Sequence, residues 1–429
     1  MSKVYDILGI GLGPFNLSLA ALLDKHKNLN SRFLDNKPSF SWHSELMHSD
    51  STMQTSYLKD LVTPVDPTSP YSFMNYLVKN DLFYGFMNTG RQNISRVEFE
   101  GYCSWVSKQL EQSIQFNSLV ESVYRQGDLF IVKTGKEEFL SKNICIGSGP
   151  VKNIPPCARQ WLGDRVFHAK SMEMKNANLE GKRVLIIGGG QTGVEILRNG
   201  LKEKWGRAES ITLISGRDSL QPLDEGAFTN EFFSPGYVES FLRTSPHIKE
   251  GIVQKQLLTS DGNTPSYLSE FYNELYLDKN YHHSFCSYQI APMRWLDHLE
   301  HQEGLYKATV LNEMFETSEQ YKADIVILAT GFRNSLPNYL RELYSEIQFD
   351  HNERPVINDN YSISTKWDGE GKIYAMNLSR HHHGIADPQI SLMAWRSANI
   401  VNDLSGKDSY QVLSRDSNLL KFTPNTREI

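Results

Sequence analysis

The chain has 429 residues, of which 39% are hydrophobic and 22% charged, so it can bury two or three domain-sized cores. Its formal net charge of −6 argues against nucleic acid as the main partner. We expect no transmembrane helix, because no apolar run of about 18 residues occurs. We expect no secretory signal, because the first residues lack a basic region followed by a long apolar core. The four cysteines lack a C-x-x-C pair, which predicts reduced thiols in a cytoplasmic protein rather than a zinc site.

A strand followed by a glycine-rich turn opens the chain. Residues 4–8 have the apolar pattern of a strand, and residues 17–23 continue as a helix with small side chains. Between them lie three glycines and a proline that a first helical turn tolerates: Gly9, Gly11, Gly13 and Pro14. The next strand is predicted at 32–35. It ends at Asp35, where a carboxylate can bind the ribose hydroxyls of an adenine dinucleotide.

A second strand–turn–helix pattern lies in the middle of the chain. Branched apolar residues at 183–187 predict a buried parallel strand, and residues 194–197 begin a helix. The turn between them carries the G-x-G-x-x-G spacing and two polar residues: Gly188, Gly190, Gln191, Thr192 and Gly193. The helix N-terminus would present free N–H groups to phosphates. Such a turn can also be purely structural, but the similar turn at the chain start favours dinucleotide binding.

The strand predicted at 211–215 distinguishes the second turn from the first. It ends at Ser215, with Arg217 just beyond and no carboxylate at the ribose position. A hydroxyl and a guanidinium suit a 2′-phosphate, which favours NADPH over NADH. An ordinary surface arginine is the alternative.

Other segments are less regular. Residues 40–43 and 53–61 mix aromatic, amide and charged side chains, as loops over a site often do. From the pattern alone, Lys59 beside Asp60 can be a surface ion pair. The strand predicted within 141–150 would return the chain to the first sheet.

Residues 223–284 form a largely helical insertion, a candidate substrate region. A buried strand within 324–332 ends in a small-residue turn that would cross back to the first domain. The three histidines at 381–383 are expected in a turn that leads into a helix. They predict no metal site, because adjacent side chains diverge.

These patterns predict an α/β protein with two Rossmann-like dinucleotide-binding domains and a small helical insertion. FAD would occupy the first domain, at 1–164 and 328–429, and NADPH the second, at 165–222 and 285–327. Residues 223–284 would bind substrate. Nicotinamide supplies hydride and flavin handles oxygen chemistry in such pairs. The missing C-x-x-C argues against a disulfide reductase.

The chain resembles the flavin-dependent N-hydroxylating monooxygenases of siderophore biosynthesis, most of all the L-lysine N6-monooxygenases. The resemblance covers nearly the whole chain. The most specific segments are 11–18 (GLGPFNLS), 40–43 (FSWH), 53–55 (MQT), 58–61 (LKDL), 70–73 (PYSF), 188–191 (GGGQ), 329–331 (ATG) and 383–386 (HGIA).

The resemblance implies roles for individual residues. Those expected at FAD are Gly9, Gly11, Gly13, Pro14, Asp35, Trp42, His43, Gln54, Gly331, Ile390 and Ser391. Those expected at NADPH are Gly188, Gly190, Gln191, Thr192, Gly193, Ser215 and Arg217. Those expected at the substrate are Lys59, Asn230 and Asp261, which replaces the surface-pair interpretation of Lys59. No catalytic acid or base is implied, since the flavin carries the chemistry, and the family suggests a homotetramer.

The implied activity is NADPH- and O2-dependent N-hydroxylation of the side-chain amine of L-lysine through a C4a-hydroperoxyflavin. Lys59 would pair with the lysine carboxylate. N-hydroxylation of a diamine such as putrescine or cadaverine, or of a related primary amine, is the second candidate, although a diamine would be repelled by Lys59 unless Asp60, Asp261 or Glu225 compensates. Two alternatives from other classes remain, an NADPH oxidase or flavin reductase and a nucleotide-binding sensor without turnover.

Overall fold

The computed structural model describes residues 3–46, 52–412 and 418–423. Its strands, numbered in chain order, are β1 (Val4–Tyr5), β2 (Ile7–Ile10), β3 (Ser31–Leu34), β4 (Thr52–Ser56), β5 (Asn93–Ser95), β6 (Ile114–Gln115), β7 (Val120–Gln126), β8 (Leu129–Thr134), β9 (Glu138–Ser141), β10 (Ile144–Ile146), β11 (Val151–Lys152), β12 (Val166–His168), β13 (Arg183–Ile187), β14 (Ser210–Ile214), β15 (Ser287–Ala291), β16 (Arg294–Gln302), β17 (Leu305–Asn312), β18 (Thr317–Ala323), β19 (Ile325–Leu328), β20 (Phe332–Arg333) and β21 (Ile373–Ala375).

The α-helices are α1 (Pro14–Leu23), α2 (Phe73–Lys79), α3 (Phe83–Asn88), α4 (Arg96–Gln109), α5 (Met172–Lys175), α6 (Gln191–Leu201), α7 (Pro235–Leu242), α8 (Pro246–Lys255), α9 (Leu258–Asp261), α10 (Pro265–Leu277), α11 (Arg380–His383) and α12 (Met393–Ser405). Shorter helical turns are Ser44–Leu46, Pro156–Trp161, Thr229–Phe233, Asp278–His282, Asn338–Glu346 and Ile390–Leu392. No helix of the described ranges is long and apolar enough to cross a membrane.

A parallel five-stranded sheet forms the core of the first domain. Its strand order is β21-β10-β2-β3-β6. The strand β2 is buried along its whole length, as expected for a parallel sheet covered on both faces. Helices α1 and α12 pack together in the core that includes Leu17, Leu19 and Ala398. The return strand predicted within 141–150 is confirmed, because β10 pairs with both β2 and β21.

A second parallel five-stranded sheet has the order β12-β19-β13-β14-β15. The predicted strand at 183–187 is its central strand, and β14 lies beside it in parallel register. Two parallel sheets, each containing a strand that leads through a glycine turn into a helix, confirm the predicted fold class with two Rossmann-like domains. The three-stranded antiparallel sheet β16-β17-β18 follows β15.

The chain crosses between the two sheets twice, and the crossings pair with each other. The strands β11 and β20 form a two-stranded antiparallel ribbon, with Val151 opposite Arg333. The return crossing begins just after β19 ends at Leu328, so the boundary expected between residues 327 and 328 runs through that strand. The segment 223–284 is largely helical, as the sequence predicts.

Two local expectations differ from the structure. Residues 4–8 are not one strand, since β1 joins β9 in a separate sheet while β2 enters the parallel sheet. Asp6 separates them because its carboxylate accepts a hydrogen bond from Asn30 and pairs with Lys142. Residues 381–383 lie in the helix α11 rather than in a turn, and their rings contact different oxygens.

Candidate active site

A cavity of about 1400 Å³ lies between the two parallel sheets. Both glycine turns line it, together with the residues that follow β3, β10, β14 and β19. In open α/β sheets, ligands bind outside the carboxyl ends of the strands. The cavity therefore occupies the binding position of both domains at once.

The first turn fits the pyrophosphate of FAD. Gly11 has φ +84°, and a Cβ there would lie 2.7 Å from the Gly147 carbonyl oxygen, so only glycine keeps the turn this close to β10. The buried Asn16 donates to the Gly11 carbonyl over 2.7 Å. The helix α1 begins at Pro14 with Gly13 as its N-cap, which leaves its first N–H groups toward the cavity.

Asp35 stands at the end of β3, almost fully buried on the cavity wall. One carboxylate oxygen accepts from the Leu12 amide over 2.6 Å, and the other accepts from the Lys37 amide over 2.8 Å. These bonds fix the carboxylate beside the first turn. Its remaining lone pairs can accept the ribose hydroxyls of the adenine dinucleotide.

The second turn is built on the same plan. Gly188 has φ +124°, and a Cβ there would lie 2.2 Å from the Ala329 carbonyl oxygen. A Cβ on Gly193 would lie 1.9 Å from the Gly188 carbonyl oxygen, so this glycine allows α6 to pack closely on the turn. Gly190 has open space, with no described heavy atom within 4 Å of its added Cβ. A pyrophosphate can approach the backbone there.

The end of β14 carries the groups expected at the 2′-phosphate. The Ser215 hydroxyl accepts from the Arg217 amide over 3.1 Å, and Nη2 of Arg217 donates to the Asp261 carbonyl over 2.8 Å. Nη1 of Arg217 is buried and has no hydrogen-bond partner among the described residues. An orphaned buried donor is costly, and a phosphate oxygen would satisfy it.

Four residues expected near the flavin also line the cavity: Trp42, His43, Gln54 and Ile390. The rings of Trp42 and His43 meet edge to face at 4.5 Å. Burial holds the pKa of His43 well below its usual value, and the positive charges of Lys170, Arg96 and Lys37 lower it further. The imidazole is therefore neutral near pH 7. Gly331 lies on the cavity wall, whereas Ser391 is buried in the turn behind it.

Lys59 lies on a second, much smaller cavity, which adjoins the first at Ile390. Its other lining is mainly apolar or aromatic, including Phe73, Phe99 and Tyr102. Burial lowers the pKa of the Lys59 ammonium. Within the described ranges, this ammonium has neither an ion-pair partner nor a hydrogen-bond acceptor.

The structure does not bring the three expected substrate residues together. The Asp261 carboxylate accepts from both terminal nitrogens of Arg380, at 3.0 and 3.2 Å, beside the Arg217 site. Asn230 lies exposed on the turn Thr229–Phe233 and is not among the described residues that line either cavity. The contacts of Asn230 and Asp261 with substrate remain predictions.

Several cavity residues were missed by the sequence analysis. Lys170 and Trp295 follow strands without a recognisable motif, and Arg380 lies next to the histidine run. Arg96 opens α4 and donates from two nitrogens, each at 3.2 Å, to the buried carboxylate of Glu195 on α6. This ion pair joins the two domains across 99 residues of sequence, so no local pattern could have indicated it.

Comparisons with known proteins agree with this geometry. Residues 3–334 match the family described as L-lysine 6-monooxygenase/L-ornithine 5-monooxygenase. The chain is 37% identical to the L-lysine N6-monooxygenase of Escherichia coli, over 96% of this chain and 97% of that protein. It is 30% identical to the putrescine N-hydroxylase of Acinetobacter baumannii, over 99% of this chain and 95% of that one.

Among solved structures, the FAD-bound cadaverine monooxygenase of the desferrioxamine pathway from Erwinia amylovora superimposes with a TM-score of 0.90. The two chains are 25% identical, and each is covered completely. The cavity, its two glycine turns and these relatives identify an FAD- and NADPH-dependent N-monooxygenase. This chain belongs to the L-lysine 6-monooxygenase/L-ornithine 5-monooxygenase family of siderophore biosynthesis.

Proposed function

We propose that this enzyme hydroxylates the side-chain amine of L-lysine, using NADPH and O2, to supply a hydroxamate siderophore. The observation that carries the choice of substrate is Lys59. A half-buried ammonium without a counter-ion among the described residues needs an anion beside it. L-Lysine brings a carboxylate at the end opposite its reacting amine, whereas putrescine and cadaverine bring a second cation.

A diamine would need a carboxylate that neutralises Lys59, but two of the three candidates are engaged elsewhere and the third is exposed. Asp60 is buried and accepts hydrogen bonds from the amides of Val62, Thr63 and Phe73. Asp261 pairs with Arg380, and Glu225 is exposed. None forms an ion pair with Lys59. This arrangement favours an amino acid over a diamine.

The chain's own residues have to bind the substrate, orient its amine and keep that amine neutral. FAD, once reduced by NADPH, supplies the activation of O2. The substrate amine must be neutral to react, although a free lysine amine has a pKa near 10.4. Burial is the largest cause of the lowered pKa of His43 in the large cavity, and a desolvated site disfavours an ammonium as well. The substrate amine would therefore lose its proton more readily there.

The test compares two substrates that differ only in the carboxylate, L-lysine and cadaverine. Lys59→Met keeps an unbranched side chain only one atom shorter and removes its charge. We expect the KM for L-lysine to rise by about tenfold to a hundredfold, the range for a lost charge-assisted hydrogen bond. The KM for cadaverine should stay the same or fall. Lys79→Met, on the exposed end of α2, serves as the control.

Equal changes in KM for both substrates would exclude the carboxylate contact. The oxidase alternative predicts full NADPH turnover without any amine, with peroxide as the product. The sensor alternative predicts no NADPH turnover even when FAD is supplied.

A further inference from the structure

A large aromatic side chain on the cavity wall has no role in the site as described so far. Trp295 is the second residue of β16 and is 53% exposed, although tryptophan normally buries most of its surface. It lines the large cavity beside Ser215, Gly216 and Arg217. An exposed aromatic ring next to a nucleotide site offers a platform on which a base can stack.

Backbone hydrogen bonds fix the position of this ring. The Met293 amide donates to the Arg217 carbonyl and the Arg294 amide donates to the Ser215 carbonyl, each over 2.8 Å. The residues that follow β15 are thereby fastened to the residues that follow β14. The indole is therefore held beside Ser215 and Arg217, the residues expected to bind the 2′-phosphate.

The indole of Trp295 packs directly against the backbone of Gly216. A Cβ on Gly216 would lie 2.2 Å from Cε2 and 2.3 Å from Cζ2 of Trp295. Any larger residue at 216 would therefore displace the ring. Backbone covers the indole at Gly216, while about half of the residue's surface stays exposed and the residue lines the cavity.

The order of the strands gives the path of the cofactor. With the pyrophosphate at the start of α6 and the 2′-phosphate at Ser215 and Arg217, the dinucleotide runs from β13 past β14. The next strand outward is β15, and Trp295 follows it. We propose that the adenine of NADPH stacks on the indole of Trp295, which itself packs against Gly216. This inference rests on the placement of NADPH at the second turn.

The experiment measures binding to the FAD-loaded enzyme by calorimetry, with NADP⁺, 2′,5′-ADP and nicotinamide mononucleotide as probes. In Trp295→Ala, the Kd of NADP⁺ and of 2′,5′-ADP should rise by about tenfold to a hundredfold, as for lost base stacking. The Kd of nicotinamide mononucleotide, which lacks adenine, should stay unchanged. Trp295→Phe should recover most of the affinity.

Two further variants separate stacking from damage to the sheet. Leu311→Ala is the matched control, because Leu311 faces Trp295 across β16 and β17, is 46% exposed and is not among the described cavity residues. It should leave all three Kd values unchanged. Gly216→Ala retains the tryptophan but displaces it, so it should weaken the two adenine-containing probes.

Wild-type affinity of Trp295→Ala for 2′,5′-ADP would overturn the stacking role. If Arg217→Gln still weakened NADP⁺ binding in that case, the NADPH site itself would stand. If neither variant weakened NADP⁺ binding, both the stacking role and the placement at the second turn would be wrong.

Discussion

The two dinucleotide turns share a frame and differ at one strand end. In each, a neighbouring strand places a carbonyl oxygen against the first turn glycine with positive φ, that of Gly147 on Gly11 and that of Ala329 on Gly188. Beyond this frame, the first site has the carboxylate of Asp35, whereas the second has Ser215 and Arg217. We therefore propose that the backbone frame binds a pyrophosphate in either domain and that the end of the next strand selects the dinucleotide.

The largest effect is expected when the close packing of α6 on the second glycine turn is disrupted. Gly193→Ala places a Cβ 1.9 Å from the Gly188 carbonyl oxygen, so α6 or the turn must shift. Overpacking of this kind costs about 1–3 kcal/mol. We expect a lower Tm and no measurable NADP⁺ binding. Gly190→Ala, with open space around its Cβ, should keep the wild-type Tm, and equal melting of the two variants would contradict the shared frame.

The next largest effect is a loss of the preference of the second site for NADPH over NADH. Arg217→Gln removes the guanidinium, whose buried Nη1 has no hydrogen-bond partner among the described residues. The KM for NADPH should rise by about tenfold to a hundredfold, the value of charge-assisted hydrogen bonds to a phosphate. NADH, which lacks the phosphate, is the internal control, and its KM should stay constant. A parallel rise for NADH would assign Arg217 a structural role.

A smaller effect is expected at the first site. Asp35→Asn keeps the shape of the side chain but weakens the acceptor of the Leu12 amide. The Kd of FAD should rise by roughly tenfold, since each charge-assisted bond is worth about 1.5–3 kcal/mol and the amide retains part of it. The affinity for NADP⁺ in FAD-saturated protein should not change. Flavin fluorescence on dilution measures the first quantity and calorimetry the second.

The smallest effect concerns pH at the junction of the two domains. His168 ends β12, and its ring contacts the Gly331 carbonyl through Nε2 and accepts from the Lys170 amide at Nδ1. Burial lowers its pKa from 6.5 to about 4. Between these values the unfolded chain binds the proton and the folded chain does not, so stability falls as the pH drops from 6.5 to 4.

His168→Gln removes this titration. The loss of unfolding free energy between pH 7 and pH 4.5, measured with urea, should be smaller in the variant than in the wild type. Identical pH slopes would show that the ring is not held neutral at the junction.

The sequence predicted what is encoded locally. The glycine spacing of 188–193 and the branched run of 183–187 fixed the second turn and its strand, because a parallel strand entering a phosphate-binding helix needs those residue types. Asp35 and Arg217 were found because they stand at a set distance along the chain from each turn. Residues 4–8 were mispredicted since hydrogen bonding of Asp6 to distant residues divides the run.

Long-range contacts were beyond local patterns. Trp295 reaches the cavity only because β15 pairs with β14, and Asp261 is occupied by Arg380 from 119 residues away. The resemblance predicted that Lys59 binds substrate, which stays a prediction, whereas its small and mainly apolar cavity is visible only in the fold.

The most direct test of the proposed substrate is the ratio of hydroxylamine formed to NADPH oxidised. It is measured with L-lysine, L-ornithine, putrescine, cadaverine and histamine in turn. We predict nearly one hydroxylamine per NADPH with L-lysine and poor coupling with the diamines, since Lys59 would repel their second charge. Coupled product with the diamines but not with L-lysine would contradict the role of Lys59. NADPH oxidation that yields only peroxide with every amine would contradict N-hydroxylation of these substrates.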